Sequence, residues 1–472
     1  MRKRGMRRKT RPIQIFWLLL FCFTLGGLVE KSWGITTEEE KKLGKRVLLE
    51  MEKKVEWIRD PTLQVYVDKI GHSLVKEIGS TPFDFKFHVV KGTEPNAFAI
   101  PGGHIFLTSG LIVLAENDQE VAGVVSHEIS HVTGRHISQL IERSKRLNIA
   151  SLVAMIAGAL LGGGGTATEA IATTAMATAE AITLKYTREN ETDADQNGLR
   201  YLVRAGYDPE GLITFLHKIY RISLTSSPMI PVYLSTHPSI ENRISFLENL
   251  LRMGPKPQGP FRVIGDFQRI QAKVFVEERE PHLAVSHFES LLKAHPLDGN
   301  AVFGLGLAFQ KMGRLDKATE IFQTAHSVAP GDSDVLRELG IVYFLSGKLD
   351  LSIQTLETLG TIRQDDPLAN YYLGKGYQEK GKLEQALGFF LRVYKQMPEW
   401  AEVSLSLGSV YGRLGQKGFS HFYYGRHFSL RGDKNNALLH FRTGMDWLER
   451  GSLEREEAQR EIKDLIERDK SK

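Results

Sequence analysis

The sequence predicts two unlike parts, a mostly helical α+β domain with a small sheet and, after it, an all-α solenoid. Residues 36–79 mix charged and apolar positions as amphipathic helices do, and residues 83–90 alternate as a half-buried strand does. Beyond residue 266 the chain repeats with a period of 34 residues, which is typical of stacked helix pairs. At 472 residues, the chain is too long for one hydrophobic core, so more than one domain is expected.

Changes in composition divide the chain into five predicted segments. They are an amino-terminal secretion signal, 1–34; a first domain, 35–253; a linker rich in Pro and Gly, 254–266; the repeats, 267–450; and a charged tail, 451–472. The tail is expected to be an exposed helix or a frayed end, because charged residues dominate it.

The amino terminus has the layout of a secretory signal. A basic stretch, 2–11, precedes an apolar run of 15 residues, 15–29, and the small residues Ser32 and Gly34 suit cleavage after Gly34. The run is short for a membrane span, although an uncleaved anchor remains an alternative. The only cysteine, Cys22, lies inside it, so a processed chain has no disulfide and tolerates an oxidising compartment.

The overall charge gives no sign of one class of function. The net charge is +5, but residues 1–34 hold eight Lys or Arg and one Glu, so the remainder carries −2. A nearly neutral remainder gives no indication of nucleic-acid binding.

The segment His127–His131, which reads His-Glu-Ile-Ser-His, is the strongest chemical signal in the chain. On a helix, the two histidines share one face, where their imidazoles can hold one Zn²⁺. Glu128 then lies beside the metal and can take a proton from a zinc-bound water. The alternative is a surface helix with two ordinary histidines. The apolar run 121–125 favours a buried helix, where a metal offsets the cost of burying both rings.

A second helix is expected to bring a third ligand. Glu191 and Asp195 are four residues apart and share one face of it. Glu191 completes a site of two histidines and one carboxylate, and Asp195 can accept the outer N–H of a ligating histidine and fix its tautomer. By itself the acidic stretch 189–195 is also typical of a solvated helix face, whereas the flanking Leu199 and Leu202 favour a half-buried helix.

Together these motifs resemble one family, the zinc metallopeptidases related to the CAAX prenyl endopeptidase and the heat-shock membrane peptidase HtpX. The resemblance covers residues 40–250 and rests on five motifs in the family's order. The motifs are Glu94–Gly103, His127–His131, Arg188 with Glu191 and Asp195, Ala205–Pro209, and Thr236-His237-Pro238 with Arg243.

The resemblance implies a zincin-type (gluzincin) fold for the first domain and zinc-dependent endopeptidase activity. It implies His127, His131 and Glu191 as the ligands of one Zn²⁺ per subunit. It implies Glu128 as the catalytic base. Asp195, from its position on the second helix, is the second candidate catalytic residue. Zinc rather than another divalent ion is also what this type of ligand favours.

Two downstream residues, His237 and Arg243, each have more than one interpretation. His-Pro followed by Ser239 is typical of a helix start. The resemblance implies instead that His237 is a regulatory fourth ligand, which displaces the water and makes the enzyme latent. It implies that Arg243 contacts the substrate or stabilises the oxyanion of the transition state.

The segment before the histidine motif predicts a substrate-binding strand. Residues 101–103, Pro-Gly-Gly, are a turn signal, and residues 104–108 have the composition of a strand. A strand edge beside the zinc can bind an extended peptide through main-chain hydrogen bonds, with little sequence preference. The alternative is a purely structural hairpin.

An unusual stretch follows the histidine motif. Residues 149–161 are almost wholly apolar and residues 162–165 are four glycines. The apolar part is too short to cross a bilayer, so two interpretations stay open: a buried helix hairpin, or a peripheral contact with a membrane or a substrate. The glycines are expected to give mobility that gates the site.

The repeats match the tetratricopeptide pattern of helix, turn and helix. Positions 34 residues apart carry similar residues: Gly306, Gly340, Gly374 and Gly408; Phe309, Tyr343, Tyr377 and Tyr411; Ala284, Ala318, Ser352 and Ala386. The register weakens after Gly415, which predicts a shortened capping unit. Such a solenoid offers a concave face for protein binding, although it can also fold back over the zinc cleft or serve only to stabilise the first domain.

These observations support two hypotheses of different class. The first is an exported, periplasmic zinc metalloendopeptidase that removes misfolded or stalled proteins, with the repeats binding the client or the assembly machinery. The resemblance implies unfolded or misassembled outer-membrane β-barrel proteins as clients and the β-barrel assembly machinery as partner. The second is a chaperone or assembly factor that acts mainly by protein binding, with latent proteolysis. Prenyl-protein processing is disfavoured, because the sequence shows none of the several long membrane spans that it needs.

Overall fold

The computed structural model describes residues 35–143, 186–225, 231–254 and 260–470. The predicted signal, 1–34, and the apolar and glycine-rich stretch, 149–165, lie outside the described residues, as does part of the predicted linker, 255–259. Within the described ranges, no helix combines the length and the apolar character that crossing a membrane requires.

The first domain is mostly helical with one small sheet, as the sequence predicts. Its described helices are α1 Thr37–Met51, α2 Pro61–Val75, α3 Ser109–Leu114, α4 Asp118–Thr133, α5 His136–Arg143, α6 Arg188–Ala205, α7 Glu210–Thr225, α8 Val232–Thr236 and α9 Ile240–Met253. Its strands are β1 Lys86–Val90, β2 Ala97–Ile100 and β3 His104–Thr108.

Local sequence signals explain where the first helices begin. Thr36 caps α1 in a capping box with Glu39, and the Asp60 side chain caps α2 by accepting from two backbone N–H groups. Pro61 stands at the first position of α2, where its missing N–H has no intrahelical partner to lose. The acidic first turn of α1 also interacts favourably with the helix dipole.

The sheet has the order β1-β3-β2, with β1 parallel and β2 antiparallel to β3. Residues 104–108 therefore form the central strand, so the expectation that this strand offers the open edge is wrong. The edge strand next to α4 is β2. Its four residues are all buried, so it lacks the alternation by which a strand is recognised in a sequence. Residues 101–103 make the expected turn between β2 and β3.

The histidine motif lies in α4, which ends at Thr133. Gly134 caps α4, and Arg135 adopts a left-handed φ of 54° before α5 begins. This conformation is unfavourable for a residue other than glycine, and a 2.8 Å contact between Arg135 and the buried carboxylate of Glu40 helps to hold it. Residues 118–143 therefore form two helices, α4 and α5, that meet at a corner.

The repeats form an all-α stack, as the period predicts. Their helices are α10 Phe267–Glu278, α11 Pro281–Ala294, α12 Gly299–Lys311, α13 Leu315–Val328, α14 Ser333–Leu345, α15 Leu349–Ile362, α16 Pro367–Glu379, α17 Leu383–Gln396, α18 Ala401–Arg413, α19 Lys417–Leu430, α20 Lys434–Trp447 and α21 Leu453–Lys470. Close packing explains the repeated glycines. A Cβ atom added at Gly340 would lie 2.5 Å from Leu356, and one at Gly374 would lie 2.7 Å from Phe390.

The carboxy-terminal helices differ in part from the expectation. The last unit is not shortened, and the charged segment is a helix, as one of the two alternatives held, but a helix with a buried side. Helices α19 and α20 are full-length, and Gly425 packs against Phe441 although it departs from the 34-residue register. Helix α21 buries Ala458 and Leu465 in the core of the repeats. It therefore caps the stack with one side and presents its charged residues on the other.

The first repeat completes the core of the first domain. Phe267, Ile270 and Val274 of α10 belong to the same buried cluster as residues of α2 and α4. Lys273 of the same helix is buried, and its Nζ lies 3.1 Å from a carboxylate oxygen of Asp60 at the start of α2. Helix α16 also contacts α2. The two parts therefore pack directly against each other.

Candidate metal centre

Helix α4 carries the histidine motif into the interior of the first domain. Its start is fixed by Asn117, whose side chain accepts from two backbone N–H groups. Both histidines of the motif and Glu128 are fully buried. Close helix packing causes this burial, because a Cβ atom at Gly123 would lie only 2.7 Å from the backbone of Leu212 in α7.

Helix α6 brings the predicted carboxylates to the same place. Thr187 begins it with a reciprocal capping box. Glu191 and Asp195 are both buried. A Cβ atom at Gly198 would lie 3.2 Å from the backbone of His127, so α6 and α4 pack closely at this point.

Four of the predicted site residues converge: His127, His131, Glu191 and His237. One potential ligand atom of each lies within 4.8 Å of the others. The Nε2 atoms of His127 and His131 are 3.0 Å apart, and Nδ1 of His237 lies 3.1 Å from Oε1 of Glu191. Three imidazole nitrogens and a carboxylate oxygen form a donor set of the kind that zinc binds. We call these four residues the metal cluster.

Buried polar atoms test whether a metal fits here. Among the described residues, neither oxygen of Glu128 has a hydrogen-bond partner, and the same holds for Nε2 of His237, although all three atoms are buried. Such atoms are costly and rare in native proteins. A Zn²⁺ held by His127, His131 and Glu191 fits this arrangement, with His237 available as a fourth donor.

A further set of contacts orients the ligating rings. Oδ1 of Asp195 lies 2.9 Å from Nδ1 of His127, which leaves Nε2 of that ring directed at the metal cluster. Nδ1 of His136, in α5, lies 3.0 Å from Nδ1 of His131. Outer contacts of this kind fix the tautomer and the orientation of metal ligands. Asp195 thus lies where the sequence placed it.

Arg243 lies against the carboxylates of α6. It donates to the two oxygens of Asp195 at 2.7 and 2.8 Å, and its remaining terminal nitrogen is 2.8 Å from Glu191. The side chain is buried, and two carboxylates engage its nitrogens. This placement favours a positioning role over the expected contact with a substrate or an oxyanion.

The local environment sets the protonation of the site. Burial opposes ionisation of Asp195, but Arg243 outweighs it and lowers the pKa of this carboxyl to about 2. Burial and the neighbouring His127 hold the pKa of His131 well below its usual value, so this ring is neutral, as a metal ligand must be. Burial raises the pKa of Glu128, so its carboxyl takes up a proton more readily than an exposed one does.

Three residues beside the metal cluster were missing from the sequence predictions. Tyr186 stacks on His131 with ring centroids 3.7 Å apart, and Tyr233 stacks on His237 at 4.6 Å. His136 is the third. Tyr233 stands four residues before His237, and this one-turn spacing could have revealed it. The contact of His136 depends on the corner after α4, and Tyr186 has no comparable signal.

Comparison with known proteins assigns both parts of the chain. Residues 61–251 match the model of peptidase family M48. Residues 271–325 and 310–376 match two models of the tetratricopeptide repeat. The chain therefore contains an M48 peptidase domain followed by tetratricopeptide repeats, as the resemblance implied.

Three curated relatives show how far the similarity extends. The β-barrel assembly-enhancing protease of Yersinia pestis is 33% identical over 226 residues, which cover 47% of this chain and 46% of the relative. The putative β-barrel assembly-enhancing protease of Vibrio cholerae is 36% identical over 203 residues, 42% of this chain and 41% of the relative. The mitochondrial metalloendopeptidase OMA1 of Schizosaccharomyces pombe is 26% identical over 187 residues, 40% of this chain and 52% of the relative. The chain thus spans about half the length of these relatives.

Proposed function

We propose that this chain, with its M48 peptidase domain, is an exported zinc-dependent metalloendopeptidase that removes misfolded or stalled proteins. The observation that carries the proposal is the metal cluster, with a buried Glu128 beside it that has no hydrogen-bond partner in the described part of the chain. Two histidines, a carboxylate ligand and a buried base are the parts that metal-assisted peptide hydrolysis requires. The family match over residues 61–251 supports the same reaction.

The roles of the side chains follow from their positions. A bound Zn²⁺ supplies Lewis acidity, which makes a water more acidic and polarises the substrate carbonyl. Glu128 takes the proton from the attacking water and passes it to the nitrogen of the leaving amine. Asp195 holds His127 in the required tautomer. Arg243 in turn holds Asp195 and Glu191.

His237 has a regulatory role in this proposal. Its Nδ1 lies 3.1 Å from Glu191, and its Nε2 lies 3.5 Å from Oε1 of Glu128. A fourth protein donor leaves no position for water or substrate, so the enzyme is latent while His237 stays in the metal cluster. His237 directly follows the short helix α8, so a displacement of this helix would open the site.

Strand β2 is the proposed substrate-binding edge. It lies beside α4 and stands at the end of the strand order. An extended peptide can add to such an edge through main-chain hydrogen bonds, which accept many sequences. This tolerance suits a protease that acts on misfolded proteins.

The proposed location is the periplasm, and the proposed clients are unfolded or misassembled outer-membrane β-barrel proteins. The signal predicted over residues 1–34 supports export, and two relatives are named as β-barrel assembly-enhancing proteases. Repeats of this kind are a protein-binding architecture, so the proposed partner of 267–450 is the client or the β-barrel assembly machinery. The domain organisation proposed is a peptidase domain over 35–253 and a linker over 254–266, with the repeats capped by helix α21.

A chaperone or assembly factor with latent proteolysis is the second candidate. The position of His237 within the metal cluster favours it, because a site closed by a fourth ligand leaves protein binding as the resting activity. The two candidates differ in whether Glu128 is needed for function.

Cleavage of an unfolded outer-membrane β-barrel protein by zinc-loaded His237→Ala protein separates the candidates. We expect cleavage by this variant and a rate about 10³-fold lower in His237→Ala/Glu128→Gln, because the proton acceptor is lost. Both variants should bind one zinc. The control is His217→Ala, which removes an exposed histidine and should behave as the unmodified protein. No cleavage by zinc-loaded His237→Ala would support the chaperone instead.

A further inference from the structure

Ile35 contacts α5 and the corner between α4 and α5 through its backbone. The backbone N–H of Ile35 donates to Oε1 of Glu142 in α5, at 2.6 Å. The guanidinium of Arg135 donates to the carbonyl of Ile35 and, at 2.8 Å, to the buried carboxylate of Glu40. Both backbone polar groups of Ile35 are thus engaged by α5 and the corner before it, one residue ahead of the cap at Thr36.

The signal cleavage site that the sequence predicts lies directly before Ile35. The small residues Ser32 and Gly34 suit cleavage after Gly34, which makes Ile35 the first residue of the mature chain. Gly34 and the residues before it lie outside the described residues. Cleavage at this bond would place the new amino terminus on the nitrogen that contacts Glu142.

We propose that cleavage of the Gly34–Ile35 bond creates an α-ammonium that pairs with Glu142 and fastens the new amino terminus to α5. In this step water hydrolyses the amide. The carbonyl carbon of Gly34 gains the oxygen and leaves as a carboxylate, and the nitrogen of Ile35 becomes an amine that takes up a proton. Before cleavage, the nitrogen of Ile35 is an uncharged amide that donates to Glu142. After cleavage it is a cation, and hydrogen bonds between charged groups are about twice as strong as those between neutral groups.

The neighbouring charges leave Glu142 as the partner for this ammonium. Glu40 is already paired with Arg135. Glu39 accepts from the backbone N–H and the hydroxyl of Thr36, both at 2.8 Å. Arg135 faces the carbonyl of Ile35, and Glu40 balances its charge. Of these groups, Glu142 is the carboxylate that contacts the nitrogen of Ile35.

The pair lies on the helix that also carries an outer contact of the metal cluster. That helix has eight residues and begins at His136, whose ring contacts His131 at 3.0 Å. Burial of Ile137 in the core and the contacts of Arg135 hold the start of α5, and the Ile35–Glu142 pair adds a contact at its far end. The inference rests on the export part of the proposed function and is independent of whether the domain cleaves proteins.

Intact mass and titration of the amino-terminal amine test the proposal. The full chain is exported with its own signal by a bacterial host, and the mass of the mature protein should match a chain that begins at Ile35. The α-amine, followed by NMR after ¹³C methylation, should have a higher pKa in this protein than in Glu142→Gln, because the carboxylate favours the charged form. Glu38→Gln, a matched change of an exposed carboxylate on α1, should leave the amine pKa unchanged.

Thermal unfolding gives a second, independent measurement. At pH 7, Glu142→Gln should lower the melting temperature by about 1–3 °C in the chain that begins at Ile35. The shift should be smaller in a chain that begins at Gly34, where the nitrogen of Ile35 stays an amide. The chain that begins at Gly34 should itself melt at a lower temperature than the chain that begins at Ile35, because it lacks the charged pair. This comparison needs no substitution, so it tests the pair even if Glu142→Gln does not fold. A mature mass that begins elsewhere, equal amine pKa values, or equal melting shifts in both chains would overturn the proposal. None of these measurements depends on proteolysis.

Discussion

Two groups of buried charge in this chain differ in how completely they are paired. One joins the peptidase domain to the repeats, and we call it the interface cluster: Asp60, Lys273, Arg337, Glu338 and Asp366. Nζ of Lys273 lies 3.1 Å from Asp60 and 3.2 Å from Glu338. Arg337 lies 3.1 Å from Glu338 and from Asp366. Each member of the interface cluster therefore has at least one partner of opposite charge.

The metal cluster and its base are buried to a similar degree but are not fully paired. The carboxylate of Glu128 and Nε2 of His237 lack hydrogen-bond partners across the described ranges. A cluster that only joins helices can satisfy all of its own groups, whereas a site that accepts a metal and moves a proton has to keep donor atoms available. The comparison shows that incomplete pairing, rather than burial, distinguishes the site.

The largest effect is expected when the interface cluster loses its lysine. Lys273→Met leaves the half-buried carboxylate of Asp60 and the buried carboxylate of Glu338 without this cation, so the free energy of unfolding should fall by about 3–5 kcal/mol. As a control, Lys41→Met removes a surface pair with Glu38 and should change the free energy by less than about 1 kcal/mol. Urea unfolding measures both. Equal small losses would show that complete pairing in the interface cluster adds little stability.

Zinc should stabilise the protein through the incompletely paired cluster. At free zinc about 100-fold above the dissociation constant, the free energy of unfolding should rise by about 2.7 kcal/mol. His131→Ala should remove the rise, and His217→Ala should retain it. Calorimetry with and without a chelator measures the difference. A rise that persists in His131→Ala would place the metal elsewhere.

A smaller effect is expected when only the orientation of a ligand changes. A Cβ atom at Gly134 would lie 2.4 Å from Nε2 of His136, so Gly134→Ala should displace that ring and release His131 from its outer contact. Zinc affinity should fall by about 10-fold, as measured by competition with a chromogenic chelator. Gly360→Ala is the matched control, because nothing lies within 4 Å of a Cβ atom there. Equal affinities in the two variants would contradict the role of His136.

The smallest effect is expected at a buried neutral pair in the sheet. Nε2 of His88 lies 3.0 Å from Nδ1 of His104, and burial lowers the pKa of His104 from 6.5 to about 4. The unfolded chain takes up a proton at His104 in this range while the folded chain does not. The stability that the neutral ring confers above pH 6.5 is therefore lost as the pH falls toward 4. We expect a loss of about 1 kcal/mol, after allowance for partial exposure. His104→Asn should make the dependence of unfolding free energy on pH shallower by one proton, and an unchanged slope would count against this assignment.

Local and periodic signals made much of the structure predictable. The repeats follow from the 34-residue period. Four-residue spacings placed His127 with His131, and Glu191 with Asp195, on shared helix faces. These four side chains come together when α4 packs against α6. The period identified the tetratricopeptide repeats, whereas the peptidase domain was identified by the resemblance of five motifs to a zinc metallopeptidase family.

The features that were missed depend on contacts between distant parts of the chain. The corner at Arg135 is held by Glu40, which is 95 residues away in sequence. Arg243 contacts Glu191 and Asp195 because of the way α9 packs against α6. Helix α21 was expected to be an exposed helix or a frayed end because its charged residues outnumber the two apolar ones, Ala458 and Leu465, that are buried in the core. Neither spacing nor composition contains this information.

The contribution of α10 to the core of the peptidase domain also sets an order of events during synthesis. Phe267, Ile270 and Val274 follow Arg243, the last residue of the site, in the sequence. During synthesis the amino terminus leaves the ribosome first. All of the metal-binding side chains therefore emerge before the core that supports them is complete. The proposed protease becomes fully assembled only after its first repeat has emerged, so a chain interrupted before that point lacks part of the surface that holds its ligands together.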